Sequence, residues 1–391
     1  MLVQDLALQR NKYKHLSDEE WRWFLQQVEG RERTADKLPT FAAIEDWWYP
    51  VRLSCEQCSS ELTARYKAEI ITPYTAHHTP STMVDLTGGY GVDTYFMSER
   101  FAHTDYVEQN EELCRIAEHN FAIMANGERR KVNVHNSSAE AFLKTAGQYN
   151  LIFMDPARRD CHGGKVFRLA DCTPNVVELL PTLLAHGKRL MIKLSPMLDL
   201  TQAVKELSVF STQWSAYVVA IKNEVKELLL VSGGTGQITA IDLAEPEKAF
   251  VFTKEQETNC PLAINPSPFA LIYEPNAAIL KAGAYKLVAE RFGLHKLDVN
   301  THLYASDILV ENFPGRIWRI QSPITKNEVN RAPVAENHQL PISQANVLTR
   351  NYPLTPEQIK KKYRLKDGGD SYLIGCRVNG KPTLYTAERI N

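Results

Sequence analysis

Short apolar runs alternate with amphipathic segments between residues 81 and 232. The runs with the length of a strand are TMVDLTG, TDYVEQ, VNVHNSS, NLIFMDP, KRLMIKLSP, WSAYVVAIKN and VKELLLVSG. Between the second and third runs, EELCRIAEHNFAIM places Leu113, Ile116 and Phe121 on one helical face. Strands separated by helices of this length predict parallel βαβ units in an open, doubly wound α/β sheet. The last two runs predict an antiparallel hairpin at its edge.

The regions on either side have different patterns. Residues 1–75 are predicted to be helical, and the sequence from Ser17 to Glu20 is typical of a capped helix start. Residues 269–320 combine the strand FALIYEP with one helix, NAAILKAGAYKLVAERFG, and end in the strand RIWRIQS. Residues 321–391 predict a polar linker, a strand, a helix, a DGGD turn and a hairpin across Asn379-Gly380. A chain of this length therefore holds several domains.

Composition and charge narrow the class of protein. With 44% hydrophobic and 23% charged residues and no apolar run of eighteen, no membrane span is predicted. The N-terminus lacks the layout of a signal peptide, and seven scattered cysteines favour a reducing cytoplasm. Residues 316–391 carry 13 Lys/Arg against 6 Asp/Glu, an excess of +7, so the first 315 residues sum to −8. A basic C-terminal module suggests a polyanionic partner, although a solvated lysine-rich helix face explains the excess equally well.

The segment MVDLTGGYGVD (Met83–Asp93) is an apolar strand that ends in Asp85 and runs into a glycine-rich loop before a helix. Loops of this kind at the end of a first strand bind nucleotides. Because the spacing is not GxGxxG and no lysine follows the glycines, neither a dinucleotide site nor a P-loop is predicted. Glu108 ends the next strand, 23 residues after Asp85, where an acid can bind both hydroxyls of a ribose. Together the two features favour a cofactor site over an ordinary surface turn.

The segment LIFMDPARRD (Leu151–Asp160) is a buried strand that stops at Asp155-Pro156, because proline cannot continue a central strand. Asp155 is therefore predicted at the same sheet edge as the glycine loop, held rigid by Pro156. The cations after it, Arg158 and Arg159, either clamp phosphate or pair with nearby acids.

Three other sets of residues are candidates for chemistry. Lys193 ends the fifth strand and either supports substrate binding or pairs with Asp155. Cys161 is a weak candidate nucleophile. The pair Cys55 and Cys58, with His77 and His78, has the composition of a zinc site. A single CxxC in a helical stretch is more often structural, so no metal is predicted.

The motifs VDLTGGYGVD, VEQNEELCRIAEHN, NSSAEAF and LIFMDPARR, in this order, resemble those of class I S-adenosylmethionine-dependent methyltransferases. DPARR, KLSP, EVKE and the tail from NVLTRNYPL resemble a bacterial group with ferredoxin-like and C-terminal THUMP-like domains. The resemblance implies a Rossmann-like, seven-stranded methyltransferase sheet with a reversed seventh strand. The domains it implies are an N-terminal helical domain 1–75, a methyltransferase domain 76–260, a ferredoxin-like α+β domain 269–320 and a basic THUMP-like domain 321–391.

The resemblance also implies residue roles around S-adenosylmethionine. The glycines would pass under the methionine part of the cofactor, Glu108 would hold the ribose, and Asp155 would face the methyl group. The predicted cofactor-binding residues are Asp85, Thr87, Gly88, Gly89, Gly91, Asp93, Glu108, Gln109, Asn110, Ser138, Ala139, Glu140 and Asp155. The predicted catalytic residues are Asp155, Pro156, Arg158 and Lys193.

The function expected is methyl transfer to RNA, either tRNA or rRNA, because THUMP-like modules are associated with tRNA binding; no DNA specificity is expected. The predicted RNA-binding residues are Arg316, Arg319, Arg350, Lys360, Lys361, Lys362, Arg364 and Lys366. The chain departs from one pattern of related enzymes. In amino-methyltransferases of nucleic acids, Asp/Asn-Pro is usually followed by a second proline and an aromatic residue that stacks on the base. This chain has Ala157 and Arg158 at these two positions. The alternatives are a protein or small-molecule methyltransferase, and a non-catalytic module that binds cofactor and RNA.

Overall fold

The computed structural model describes residues 3–75, 81–124, 131–158, 168–208, 213–264, 269–324 and 342–390. The chain divides into two compact units. The first comprises Met1–Ala216 and Glu227–Thr235, and the second comprises Tyr217–Lys226 and Gly236–Asn391. Within the described ranges, no helix is both long and apolar enough to cross a membrane.

The first unit begins with helices and continues as alternating strands and helices. Its helices are α1 Val3–Ala7, α2 Asp18–Thr34, α3 Pro39–Ala42, α4 Arg52–Gln57, α5 Glu61–Thr75, α6 Val92–Ser98, α7 Glu111–Met124, α8 Ala139–Leu143, α9 Val176–His186 and α10 Leu200–Leu207. The strands in this part of the chain are β1 Thr82–Asp85, β2 His103–Glu108, β3 Lys131–Asn136, β4 Leu151–Met154, β5 Ala157–Arg158, β6 Cys172–Thr173, β7 Leu190–Leu194, β8 Trp214–Ile221 and β9 Glu224–Ser232. The last two form a hairpin whose turn-side segment, Tyr217–Lys226, belongs to the second unit.

Five parallel strands form one end of the sheet, in the order β3-β2-β1-β4-β7, with β3 at its edge. Strand β9 runs antiparallel beside β7, with Met191 opposite Val231, and β8 follows it in the strand order. The turn between β8 and β9 consists of Lys222 and Asn223, whose φ angles of 50° and 64° are typical of a two-residue hairpin. This arrangement confirms the α/β fold with a reversed strand. The short β5–β6 pair was not predicted.

An aromatic core joins the N-terminal helices to the helix that follows the glycine loop. Phe41 and Trp47 are buried and belong to one cluster with Tyr90 and Phe96. The indole Nε1 of Trp47 donates a hydrogen bond to the Tyr90 hydroxyl at 3.0 Å. The predicted capping box at Ser17 is present, with the hydroxyl accepting from the Glu20 amide.

The second unit contains the remaining elements. Its strands are β10 Gln237–Asp242, β11 Phe250–Thr253, β12 Leu271–Pro275, β13 His295–Asp298, β14 Thr301–Ser306, β15 Gly315–Ile324, β16 Asn346–Arg350, β17 Ser371–Val378 and β18 Lys381–Arg389. Its helices are α11 Lys254–Asn259, α12 Ala277–Ala282, α13 Tyr285–Phe292 and α14 Pro356–Tyr363. Seven strands form one sheet in the order β13-β14-β12-β15-β18-β17-β16.

Sequence and structure agree on the tail of the second unit and differ in its middle. The predicted strand, helix, turn and hairpin are present as β16, α14, the glycine turn at Gly368 and Gly369, and the β17–β18 pair. The single helix predicted after β12 is wrong: Gly283, with a φ of 81°, ends α12 and a second helix begins at Tyr285. A left-handed glycine is a common helix stop, so the break follows from local chemistry. Strands β13 and β14 were not predicted.

Candidate cofactor and catalytic site

The glycine loop between β1 and α6 uses its glycines for different purposes. A Cβ atom on Gly88 would lie 2.1 Å from the Tyr106 ring, so this glycine is required by the packing of Tyr106. Gly89 has a φ of 57°, and the nearest heavy atom to its missing Cβ is the Thr87 carbonyl oxygen at 3.8 Å. Gly89 is thus the loop position that combines a left-handed backbone with open space for a ligand.

Asp85 supports this loop from inside the sheet. Its carboxylate accepts hydrogen bonds from the Thr87 amide at 3.0 Å and from the Thr94 hydroxyl at 2.6 Å. Burial raises the pKa of Asp85 to about 7, although the bonds from Thr94 and Thr87 oppose this shift. Asp85 therefore shapes the loop rather than facing solvent.

Glu108 lies at the end of β2, beside the loop. One carboxylate oxygen accepts from the Gly89 amide at 3.0 Å and the other from the Asn110 amide at 2.8 Å. These bonds orient the carboxylate, and each oxygen retains a lone pair for a further donor. A carboxylate held in this way beside an open glycine fits the ribose of S-adenosylmethionine.

Five further residues predicted to bind the cofactor lie near the end of β2, and two of them have structural roles of their own: Gln109, Asn110, Ser138, Ala139 and Glu140. The Asn110 side chain accepts from the Leu113 amide at 3.1 Å, and the Ser138 hydroxyl accepts from the Ala141 amide at 3.2 Å, so each caps a helix. Ala139 is buried, whereas Gln109 and Glu140 are exposed. The Ser137 amide donates to the Glu108 carbonyl at 3.0 Å, which brings this segment next to the end of β2.

Asp155 follows β4 and is tied to both neighbouring strands. Its amide donates to the Thr87 hydroxyl at 2.6 Å, which places it against the glycine loop. Its carboxylate oxygen Oδ2 lies 2.5 Å from Nζ of Lys193 at the end of β7. The pairing that was one of two predictions for Lys193 is therefore present. The side chains of Arg158, Arg159 and Cys161 lie outside the described residues.

Lys193 connects Asp155 to a group of buried polar residues. Its Nζ lies 3.4 Å from Oδ2 of Asp93 and 3.0 Å from the Ser59 hydroxyl. Asp93, predicted to contact the cofactor, forms a second ion pair, with Lys67 at 3.2 Å. Lys67 in turn binds Glu227 at 2.6 Å.

Sequence reasoning missed Ser59, Lys67 and Glu227, although two signals were available. Lys67 lies on the buried face of α5, three and four residues from the buried Ala64 and Ile71, and a lysine in an apolar stripe requires a partner. Glu227 is the last residue of EVKE, which carried part of the family resemblance.

The CxxC pair behaves as structural thiols. The thiol of Cys55 donates to the Pro50 carbonyl and that of Cys58 to the Cys55 carbonyl. Burial raises the pKa of the Cys55 thiol to about 12, which disfavours the thiolate that zinc requires. Among the residues that the structure describes, no group of His, Cys, Asp and Glu could hold a metal ion, and His77 and His78 lie outside them.

The predicted RNA-binding residues fall into two groups. Arg316 and Arg350 both bind the buried Glu274, at 2.5 and 2.6 Å, and Lys360 binds Asp367 at 2.7 Å. The exposed members are Arg319, Lys361, Lys362, Arg364 and Lys366. The charge available for a polyanion is therefore smaller than the sequence count indicates.

Comparison with known proteins defines the class. A family model of a ferredoxin-like domain matches residues 272–314, and one of a THUMP domain-like module matches residues 315–389. A crystal structure from Porphyromonas gingivalis W83, designated a methyltransferase, is 31% identical, covers 96% of this chain and 92% of its own, and has a TM-score of 0.82.

Two further relatives are also named as methyltransferases. Two Mycobacterium tuberculosis proteins, from strains CDC 1551 and H37Rv, are named as uncharacterized S-adenosylmethionine-dependent methyltransferases. Each is 22% identical over 58% of this chain, and the match spans 60% of the relative, less than two thirds of its length. The chain belongs to the family of class I S-adenosylmethionine-dependent methyltransferases with ferredoxin-like and THUMP-like C-terminal domains.

The buried carboxyl group of Asp85 generates a prediction about pH. Because its folded pKa of about 7 exceeds the ordinary 3.8, its contribution to stability is greatest below the ordinary value and is lost as pH rises towards 7. An asparagine at this position does not titrate, so the unfolding free energy of Asp85→Asn relative to wild type should increase by roughly 2–3 kcal/mol between pH 5 and 8. Urea denaturation at both pH values measures this, with the exposed Asp36→Asn as control. Parallel pH profiles for wild type and Asp85→Asn would contradict the assignment.

Proposed function

We infer that this protein transfers the methyl group of S-adenosylmethionine to RNA, with tRNA or rRNA as the substrate class. The main support is the position of the Asp155 carboxylate at the end of β4. It follows β4, contacts the glycine loop through its amide, and is oriented by Lys193. Ligands of open α/β sheets bind at this edge, outside the carboxyl ends of the strands.

The donor set at this edge suits the cofactor. Glu108 offers two oriented carboxylate oxygens for the ribose hydroxyls, and Gly89 leaves space for close approach. When bound, S-adenosylmethionine supplies an electrophilic methyl group for an in-line displacement. The protein then has to orient the acceptor and handle its proton.

Asp155 is the group best placed for these tasks. Lys193 occupies its Oδ2 oxygen, which leaves the Oδ1 oxygen to accept a hydrogen bond from an acceptor amine. Lys193 itself is a poor base: burial lowers its pKa, but the carboxylates of Asp155, Asp93 and Glu227 outweigh burial and raise it. Its role is therefore to hold the Asp155 side chain in a fixed position as a hydrogen-bond acceptor.

RNA as the acceptor is supported by the C-terminal part of the chain. The match to a THUMP domain-like module covers residues 315–389. Within it, the end of α14 and the loop after it expose four cations, Lys361, Lys362, Arg364 and Lys366. Cations at a helix C-terminus also interact favourably with the helix dipole, so the cluster alone does not require RNA. The module and the cluster together favour RNA over a protein or small-molecule acceptor.

Cofactor binding is predicted to depend on Glu108. Calorimetric titration of wild-type protein with S-adenosylmethionine and S-adenosylhomocysteine should give micromolar affinity, about −8 kcal/mol. Glu108→Ala should weaken both ligands by about tenfold or more, because two hydrogen bonds to a charged group are removed. Glu111→Ala, an exposed acid three residues further on, is the control. Equal affinities for Glu108→Ala and wild type would remove Glu108 from the site.

Methyl transfer is predicted to depend on Asp155. Asp155→Ala should lower the rate of transfer from radiolabelled cofactor to an undermethylated RNA pool by roughly 100-fold or more. Affinity for S-adenosylhomocysteine and for RNA should stay within a few-fold of wild type, since neither reports on the acceptor's proton. A wild type that binds cofactor and RNA without turnover would instead support the non-catalytic module. Full activity of Asp155→Ala would contradict the proposed role.

RNA binding is predicted to depend on the exposed cations of the tail. A variant with Gln at Lys361, Lys362, Arg364 and Lys366 should bind a tRNA pool more weakly. The slope of log affinity against log salt should fall by about 0.7–0.9 for each phosphate that the variant no longer neutralises. The control replaces four exposed lysines outside the tail, Lys144, Lys188, Lys205 and Lys254. Equal losses of affinity in both variants, or none in either, would indicate nonspecific attraction or a different acceptor.

A further inference from the structure

Five charges of alternating sign run from the candidate catalytic carboxylate into the interior of the first unit. In order they are Asp155, Lys193, Asp93, Lys67 and Glu227, and successive charged atoms are 2.5, 3.4, 3.2 and 2.6 Å apart. The side-chain exposure falls from 38% at Asp155 to 0% at Lys67 and 4% at Glu227. Two cations and three anions are thus arranged so that each buried charge contacts only charges of opposite sign.

The hydroxyl of Ser59 lies at the centre of this chain of charges. It donates to Oδ2 of Asp93 at 2.7 Å and accepts from Nζ of Lys193 at 3.0 Å. Nζ of Lys67 approaches the same oxygen at 3.4 Å. Ser59 therefore bridges the cation next to Asp155 and the cation buried behind it.

The geometry leaves Lys193 little freedom. An ammonium group has three N–H donors, and three acceptors surround this one: Oδ2 of Asp155, Oδ2 of Asp93 and Oγ of Ser59. Loss of any one acceptor would allow the ammonium group to rotate or shift. The direction in which Lys193 presents its proton to Asp155 is therefore set by Asp93 and Ser59.

The two cations also keep the middle of the chain ionised. Burial raises the pKa of Asp93, but Lys67 and Lys193 outweigh burial, and the net pKa is lowered. Asp93 is thus an anion that both lysines require, and Glu227 balances Lys67 from the other side. Breaking a buried pair by removing one partner leaves an uncompensated charge, which is strongly destabilising.

Ser59 and Lys67 belong to the N-terminal helical region, which has no other evident role in the reaction. We propose that Ser59 and Lys67 are positioning residues for methyl transfer, which fix Lys193 and through it the Asp155 carboxylate. The N-terminal region then completes the active site. This inference rests on the proposed role of Asp155 in methyl transfer.

Two variants test the proposal with different risks to folding. Ser59→Ala removes one acceptor of Lys193 without removing a charge. The paired substitution Lys67→Met with Glu227→Gln removes one charge of each sign together, so that no buried carboxylate is left without a cation. Ser98→Ala is the matched control, since this buried hydroxyl bonds only the Tyr95 carbonyl among the described contacts.

The first readout is methyl transfer under saturating RNA. Ser59→Ala and the paired variant should lower kcat by about tenfold, the effect of one charged hydrogen bond, while KM for S-adenosylmethionine stays near wild type and Ser59→Ala remains folded at the assay temperature. Ser59→Thr, which keeps the hydroxyl, should restore kcat. A fall in kcat matched by an equal rise in KM, or one equally large in Ser98→Ala, would indicate a structural role and overturn the proposal.

The second readout does not need activity. Competitive acetylation with acetic anhydride, followed by peptide mass spectrometry, measures how firmly each lysine ammonium is held, with the exposed Lys205 as internal reference. Lys193 should be labelled about tenfold faster in Ser59→Ala than in wild type or Ser98→Ala. Unchanged labelling of Lys193 overturns the proposal. If wild type transfers no methyl group to RNA, the proposed function fails, and the labelling still decides whether Ser59 fixes Lys193.

Discussion

The buried ion pair between Lys67 and Glu227 is the constraint on which the first unit depends. Lys67 has no exposed side-chain surface, so its charge is stable only while Glu227 and Asp93 are both present. These partners come from β9 and α6, and α5 supplies the lysine. Three elements far apart in sequence must therefore assemble together, and loss of one partner is expected to cost about 3–5 kcal/mol.

The same constraint explains why the helical N-terminus belongs with the sheet. Phe41 and Trp47 pack against Tyr90 in the glycine loop and Phe96 in α6, and the Trp47–Tyr90 hydrogen bond adds direction to that packing. Apolar contacts alone would tolerate small shifts of the helices. The ion pairs tolerate less, because each is also a charge-assisted hydrogen bond, which weakens when its distance or angle departs from a narrow range.

Sequence reasoning found the parts of the site that depend on local chemistry. Three such features can be predicted, because each reflects a backbone requirement within a few residues. They are the glycines after a strand, the acid that ends the next strand and the proline after Asp155. The helix break at Gly283 also follows from local chemistry, although the apolar spacing predicts one continuous helix there. The Lys67–Glu227 pair was not predictable from spacing, since its residues are 160 positions apart. The physical signal that pointed to it was the unusual position of a lysine on an apolar helix face.

The basic C-terminal region shows a second limit of prediction from sequence: a count of charged residues does not show which of them form ion pairs. Glu274 is buried and binds both Arg316 and Arg350, whose side chains remain 33% and 38% exposed, so the charge of these two arginines is partly compensated within their own unit. A carboxylate between two arginines leaves one net positive charge, whereas the sequence count assigns two to the surface. The four exposed cations in the last turn of α14 and in the loop after it differ because the helix dipole favours cations there without a buried acid.

The replacement of the expected Pro-aromatic sequence by Ala157 and Arg158 changes how an acceptor can be held. An aromatic ring at this point would hold a base by stacking. In this chain the carboxylate is fixed instead, by Lys193 in front and by the Thr87 hydroxyl at its backbone. Rigid placement of the acceptor's hydrogen-bond partner can supply part of the orientation that stacking supplies elsewhere. The buried charges behind Lys193 fit this arrangement, because they hold Lys193, and through it the Asp155 carboxylate, in place where no stacking residue is present.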